Sequence, residues 1–163
     1  MLRNQGMRVR YQYEMPGHNW RLTDLQAAVA VPQLGRLAAT TAARAANAAR
    51  LTEGLAGIPG LRTPIVPEGR EHVWHQYTLL IDGAVGRDDV AKHLEAAGIG
   101  HGLYYPRLMH DYDCYRGHPQ IVVDATPHAQ RVTTQALSIP VHQHLTPGDV
   151  DRVIAAVRGA FGA

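Results

Sequence analysis

The stretch that most constrains this chain runs from Gly17 to Val29. Thr23 is followed three residues later by Gln26, just ahead of an alanine-rich apolar run. That is the pattern of a capping box, in which hydroxyl and amide side chains each satisfy an orphan backbone group at a helix start. Apolar residues then recur at helical spacing through Leu25, Ala28 and Val29, and again through Leu34, Leu37, Ala38, Thr41, Ala45, Ala48 and Leu55 as far as Gly57, with Arg36, Arg44 and Arg50 on the other faces. Pro32 interrupts the pattern. A proline in a helix interior removes an amide and clashes with the preceding turn, at about 3 kcal/mol, so a kink or restart is expected there. Ahead of the cap, Pro16 to Arg21 is irregular by composition and sets Asn19, Trp20 and Arg21 beside a helix N-terminus, where the partial positive charge favours anions such as phosphate.

The rest of the chain alternates strand and helix signals. Residues 57–69, rich in glycine and proline, read as a loop. His72 to Ile81 reads as a strand apolar on much of both faces. Asp88 and Asp89 open a helix with Val90, Ala91, Leu94 and Ala97 inward, closed by Gly98. His101 to Tyr105 is a second strand, ended by Pro106. After a polar, aromatic loop, Thr126-Pro127 opens a helix to about Ala136. Leu137 to His142 is a third strand, and Thr146-Pro147 opens a last helix with Val150, Val153, Ile154 and Val157 on its buried side. Met1 to Tyr13 shows no strong period. The sum is an α/β fold: a two-layer sandwich, the sheet covered on one face by helices, preceded by a long helix.

With 163 residues the chain can bury roughly 70% of the surface it would expose unfolded, enough for a core without staples. A single cysteine, Cys114, rules out an internal disulfide framework. No apolar run is long enough for a membrane span and no signal-like segment is visible, which points to the cytoplasm and to no membrane partner. A net charge of +2 with arginines scattered along the chain makes no basic stripe, so nucleic acid is not an expected partner.

Ten histidines raise the question of a metal. The best pairs, His72-x-x-His75 and His142-x-His144, lack partners: the first two fall on opposite faces of a regular strand, and the second pair sits where a strand ends. No metal ligand is assigned. Ser138, the sole serine, lies inside a predicted strand, which disqualifies it as a nucleophile. Lys92, the sole lysine, falls one residue off the apolar stripe of its helix, with Asp88 and Glu95 in pairing range.

Gly17-His18-Asn19-Trp20-Arg21-Leu22-Thr23-Asp24-Leu25-Gln26-Ala27-Ala28 resembles the Gly-Tyr-Asn-x-Arg-(Leu/Met)-Thr-(Asp/Glu)-(Leu/Ile)-Gln-Ala-Ala signature of the DegT/DnrJ/EryC1/StrS sugar aminotransferases, fold type I enzymes that use pyridoxal phosphate. Gln33-Leu34, Trp74 to Thr78, Gly98 to Gly100, Tyr104-Tyr105-Pro106 with His110, and Leu137 to His142 resemble later motifs of that family in the same order. The resemblance implies the C-terminal portion of such an enzyme: residues 1–22 from the large cofactor-binding domain, 23–56 as the connecting helix, kinked at Pro32 where relatives usually lack proline, and 57–163 as the small C-terminal α/β domain.

It also implies roles. Asn19 and Arg21 match positions that reach toward the cofactor phosphate of a neighbouring subunit, with His18 in place of the usual tyrosine. Tyr104, Tyr105 and His110 match a region near the substrate. The cofactor would be pyridoxal phosphate, not covalently bound by this chain, because the family's Schiff-base lysine and ring-nitrogen acid belong to sequence upstream of Met1 and nothing around Lys92 matches that lysine's motif. No catalytic residue is therefore assigned. The implied partners are the N-terminal large domain or a separate chain carrying it, a homo- or hetero-oligomer, and a nucleotide sugar with glutamate. The competing expectation is a non-catalytic assembly module or the folded remnant of a broken gene.

Overall fold

The capping box forms. In a computed structural model that describes all 163 residues, the Thr23 amide donates to Gln26 Oε1 at 3.0 Å and the Gln26 amide donates to Thr23 Oγ1 at 3.3 Å. Helix α1 runs from there over Asp24–Gly54 without interruption. Pro32 lies inside it, so the chain does not restart there; eight alanines from Ala38 to Ala49 supply the strong helix formers that carry it on. No helix of the chain is long and apolar enough to cross a membrane.

The chain divides into two compact units, residues 1–39 and 40–163. In the first, the segment without a strong sequence period forms a small hairpin, β1 (Met7–Val9) against β2 (Gln12–Tyr13), with an irregular register between Met7 and Val9. Its strands are too short for periodicity to register. The loop before α1 returns along Leu2 to Gln5: the His18 and Trp20 amides donate to the carbonyls of Leu2 and Arg3, at 2.7 and 3.0 Å. The α1 side chains of this unit stay in solvent, with Leu25 78% and Leu34 66% exposed.

The second unit holds the core. An antiparallel sheet of order β3-β4-β5 is built from β3 (Leu61–Arg62), β4 (Tyr77–Ile81) and β5 (Ala136–Ile139). Tyr77, Leu79 and Ile81 alternate to one face. There they join Ala48, Leu51 and Leu55 of α1, Val90 and Leu94 of α2 (Arg87–Ala96), and Val150, Val153 and Val157 of α4 (Pro147–Ala160) in one buried cluster. This is the α/β architecture read from the sequence. Helix α3 (Pro127–Gln135) leads into β5. Helix α2 closes on Gly98 at φ +69°, whose amide donates to Glu95 while the Ile99 amide donates to Leu94, a left-handed terminus that suits glycine. Gly60 and Gly83 cross so closely that a Cβ on Gly60 would sit 2.4 Å from the Gly83 Cα.

Several boundaries move. The strand expected from His72 starts only at Tyr77, because Trp74 takes a left-handed φ of +51° and its amide turns to His72 Nδ1. The strand expected at His101–Tyr105 shrinks to one bridging residue, Gly102, which exchanges both backbone hydrogen bonds with Ser138. Strand β5 ends at Ile139, short of His142, because Pro140 has no amide to continue the ladder. The loop over 57–69 contains β3. Thr126 precedes α3 as expected, but its hydroxyl makes no cap hydrogen bond.

Candidate functional site

Two successive turns of α1 organise a cleft of the second unit. Arg44, half-buried rather than on an outward face, donates from Nη1 to the carbonyls of Trp74 at 2.8 Å and His75 at 3.3 Å, and from Nε to Gln143 Oε1 at 3.1 Å. Asn47 Nδ2 donates to the His142 carbonyl at 3.0 Å. Charge-assisted bonds from Arg44 and a neutral amide bond from Asn47 hold two separate segments, 74–75 and 142–143, to one helix. Between them opens a cleft of about 580 Å³ lined by Arg44, His75, Gln76, His101 and His142, with Tyr104 and Tyr105 at its edge. That volume is in the range of organic-ligand sites. Ser138 lines its floor but is 6% exposed and shares a 2.8 Å hydrogen bond with Thr78.

Tyr104 and Tyr105 also line a second cleft, of about 500 Å³, with Arg107, Met109, Tyr112 and Val132. The two tyrosines line both cavities and are exposed. His110 is not with them. It lies on the single 3-10 turn Met109–Asp111, its Nε2 3.9 Å from Asp111 Oδ1, and lines neither cleft.

In the first unit, Asn19 and Arg21 are both exposed. Asn19 forms an antiparallel bridge with Asn4, and Arg21 Nη1 donates to Asn4 Oδ1 at 3.3 Å, so Asn4 links the two. His18 stacks on Trp20 with ring centroids 4.3 Å apart and planes 5° from parallel. The smaller ring packs against its neighbour here. Sequence reading passed over Arg44, Asn47 and His101 as cleft residues; the only signal for Arg44 was its place on α1, which does not say whether the guanidinium meets water or backbone.

Lys92 is on the surface, 75% exposed at its side chain, 3.3 Å from Asp89 instead of the Asp88 or Glu95 expected. It lines none of these clefts. No group of three or more histidine, cysteine, aspartate or glutamate side chains comes together in a way that could hold a metal; the His142 and His144 rings lie 6.1 Å apart. Cys114 is exposed. Burial raises the Tyr77 phenol above its ordinary pKa of 10.0, partly countered by hydrogen bonds from Thr52 and Thr63. Hydrogen bonds from Thr146 hold the Asp149 carboxyl below its ordinary 3.8, helped by Arg152.

The model of the DegT/DnrJ/EryC1/StrS aminotransferase family matches residues 1–158. The chain belongs to that family. It is 38% identical, over 97% of its own length, to the dTDP-3-amino-3,4,6-trideoxy-alpha-D-glucose transaminase of Streptomyces venezuelae, and 35% identical to the enzyme of the same name from Micromonospora megalomicea subsp. nigra. The crystal structure of S. venezuelae DesV in complex with a ketimine intermediate superposes with a TM-score of 0.83 at 37% identity over 98% of this chain, and that of the aminotransferase TlmJ from Streptoalloteichus hindustanus with 0.79 at 30% over 99%. The chain spans 41% and 42% of the lengths of the two curated relatives. The matched region is the C-terminal part of the family fold, as the sequence resemblance implied.

Proposed function

We propose that this chain is the C-terminal part of a pyridoxal-phosphate-dependent nucleotide-sugar aminotransferase of the dTDP- or UDP-4-keto-6-deoxyhexose type, working in the cytoplasm as part of an oligomer. The observation that carries the reading is the 38% identity to a dTDP-sugar transaminase, held over 97% of the chain. In this reading residues 1–22 belong to the large domain, 23–56 form the connecting helix and 57–163 the small domain.

The residues present suit part of the cofactor. Asn19 and Arg21, exposed and joined through Asn4, offer an amide and a guanidinium to its phosphate, a geometry that charge-assisted donors favour. They offer nothing for covalent attachment, since Lys92 is a surface ion-pair lysine. When bound, the cofactor acts as the electron sink for moving an amino group from glutamate to a keto sugar. This chain's share is to bind and orient: Tyr104 and Tyr105 face the sugar, and Arg44 and Asn47 fix the cleft walls; the family motif assigns His110 to the same region, but its ring lines neither cleft. The large domain supplies the lysine.

The chain alone should transfer no amino group, whereas mixing it with a polypeptide carrying the large domain of the family should give glutamate-dependent turnover. Asn19→Ala should then weaken cofactor retention by about 1.5–3 kcal/mol, the value of a hydrogen bond to a charged group. Borohydride reduction and mass spectrometry locate the attached cofactor. Finding it on Lys92 of the isolated chain, with turnover, would overturn the assignment. The lysine's position also favours a second reading, a non-catalytic assembly module; failure of every reconstituted mixture to turn over, with the two polypeptides shown to bind, would select it.

A further inference from the structure

Gly102 makes both of its backbone hydrogen bonds to Ser138, at 2.9 and 2.8 Å, so its main chain is pinned to the edge of the sheet. It is not among the glycines that hold a positive φ. Conformational freedom, the usual reason for a glycine, therefore does not explain this one. Space does. A Cβ on Gly102 would overlap the phenol end of Tyr104, meeting Cε2 first, with Cζ at 2.5 Å and the hydroxyl oxygen at 2.7 Å. Carbon atoms in non-bonded contact stay about 3.5–4.0 Å apart, so an alanine methyl and the ring cannot share that place. Gly100, two residues earlier on the same segment, has nothing within 4 Å of such a Cβ.

The ring that rests on Gly102 is shared by two cavities. Tyr104 lines both the cleft around Arg44 and His101 and the cleft around Met109 and Val132, whereas Gly102 lines only the first. Tyr105 lines both as well, its ring edge-on to that of Tyr104 with centroids 6.1 Å apart. Tyr104 is 49% exposed, so packing on its other sides does not enclose it. If a side chain were added at position 102, the backbone could yield only by giving up two hydrogen bonds, while the tyrosine could yield by turning about its own side-chain bonds. The ring is the part that moves.

We propose that Gly102 is a positioning residue: its bare backbone is the seat of the Tyr104 ring, and the seated ring sets the boundary between the two clefts. The seat rests on geometry alone; that the boundary selects among sugars rests on the function proposed above, in which Tyr104 faces the sugar. Specificity at this wall then passes through a residue that has no side chain, and a larger residue there reshapes both clefts together.

Nuclear magnetic resonance of the full chain tests the seat. Gly102 Hα should give nuclear Overhauser contacts to the Tyr104 ring protons. Gly102→Ala should shift the Tyr104 ring signals and those of both cleft walls, while Gly148→Ala, whose Cβ would meet only Thr146 Oγ1 at 3.9 Å, should shift neither. Replacing glycine by alanine at an acceptable φ leaves stability unchanged or raised, so Gly102→Ala should not lower the urea midpoint, and the amides of residues 102 and 138 should stay protected from exchange. In the reconstituted enzyme, Gly102→Ala should raise the KM for the nucleotide sugar by roughly tenfold, the low end for a misplaced pocket wall, with kcat within about twofold. Tyr104→Ala should do the same, and the double variant should be no worse than Tyr104→Ala, because the methyl then has no ring to displace. No Overhauser contact between Gly102 and the Tyr104 ring, a lowered urea midpoint with lost amide protection in Gly102→Ala, or additive losses in the double variant would each overturn the proposal. Contact and ring displacement with no turnover in any reconstituted mixture would remove the transaminase reading and leave the seat standing; turnover with a wild-type KM in Gly102→Ala would do the reverse.

Discussion

The chain carries two capping boxes of nearly the same chemistry, and they sit in opposite surroundings. Thr23 with Gln26 opens α1 in the unit where its large apolar side chains are exposed; Thr146 with Asp149 opens α4, whose Val150, Val153 and Val157 are buried in the core. In the first case local hydrogen bonding and alanine propensity hold the helix. In the second the cap adds to a helix that packing already fixes. A local motif sets where a helix starts, and burial decides whether disturbing that start is felt by the whole domain.

The widest contrast should come from truncating leucines of the one helix that spans both settings. Leu51→Ala, at a fully buried position, is expected to cost about 2–5 kcal/mol in urea denaturation, while Leu34→Ala, in solvent, should stay within about 0.5 kcal/mol. Equal losses would break the distinction between the units. Next, the apolar row of Leu25, Val29, Leu34 and Leu37, each more than half exposed, should make the chain associate. Sedimentation equilibrium of Leu34→Asp with Leu37→Asp should show the dissociation constant raised at least about tenfold; a wild-type monomer at high concentration would refute this.

The caps themselves come third. Thr146→Ala should lower global stability by about 1 kcal/mol, whereas Thr23→Ala should leave it unchanged and only speed amide exchange in the first turn of α1. Asp149 adds an acid limb to this test: its depressed pKa means its contribution is present above the ordinary carboxyl range and is lost as pH falls through the folded value. Thr146→Ala should therefore flatten the stability curve at acid pH.

The smallest effect should lie at Tyr77, whose hydroxyl is 2.7 Å from Thr52 Oγ1, itself bonded to the Ala48 carbonyl at 2.9 Å. Because Thr52 keeps that carbonyl, Tyr77→Phe should cost only about 0.5 kcal/mol at neutral pH. The raised phenol pKa gives stability that is full below pH 10 and lost above it, as the unfolded chain ionises first. The phenylalanine variant should lose that alkaline decline, which a pH series of thermal melts would show.

Helices were legible because their signals are local and repeated: Thr23, Thr146 and Gly98 mark ends that the structure keeps within a residue. Strands were less so. Periodicity along His72 to Ile81 cannot reveal that Trp74 turns left-handed under the pull of Arg44 and His72, since both partners act through the tertiary fold. Motif similarity proposed Asn19, Arg21, Tyr104, Tyr105 and His110 together; the fold puts the two tyrosines on the walls of two clefts, and the turn at Met109 sets the His110 ring outside both. Arg44 escaped because an arginine's role depends on what its long stem reaches, which spacing does not encode.

The single residue Gly102, doubly bonded to Ser138, leaves the sheet little to offer a neighbour. On that side the ladder of β5 is already occupied, and on the other it ends in the two residues of β3. Short or covered edges protect against strand-to-strand polymerisation. A preparation of this chain that clumps should therefore do so through its helix, as reversible, detergent-sensitive oligomers without amyloid dye binding, and not as fibrils.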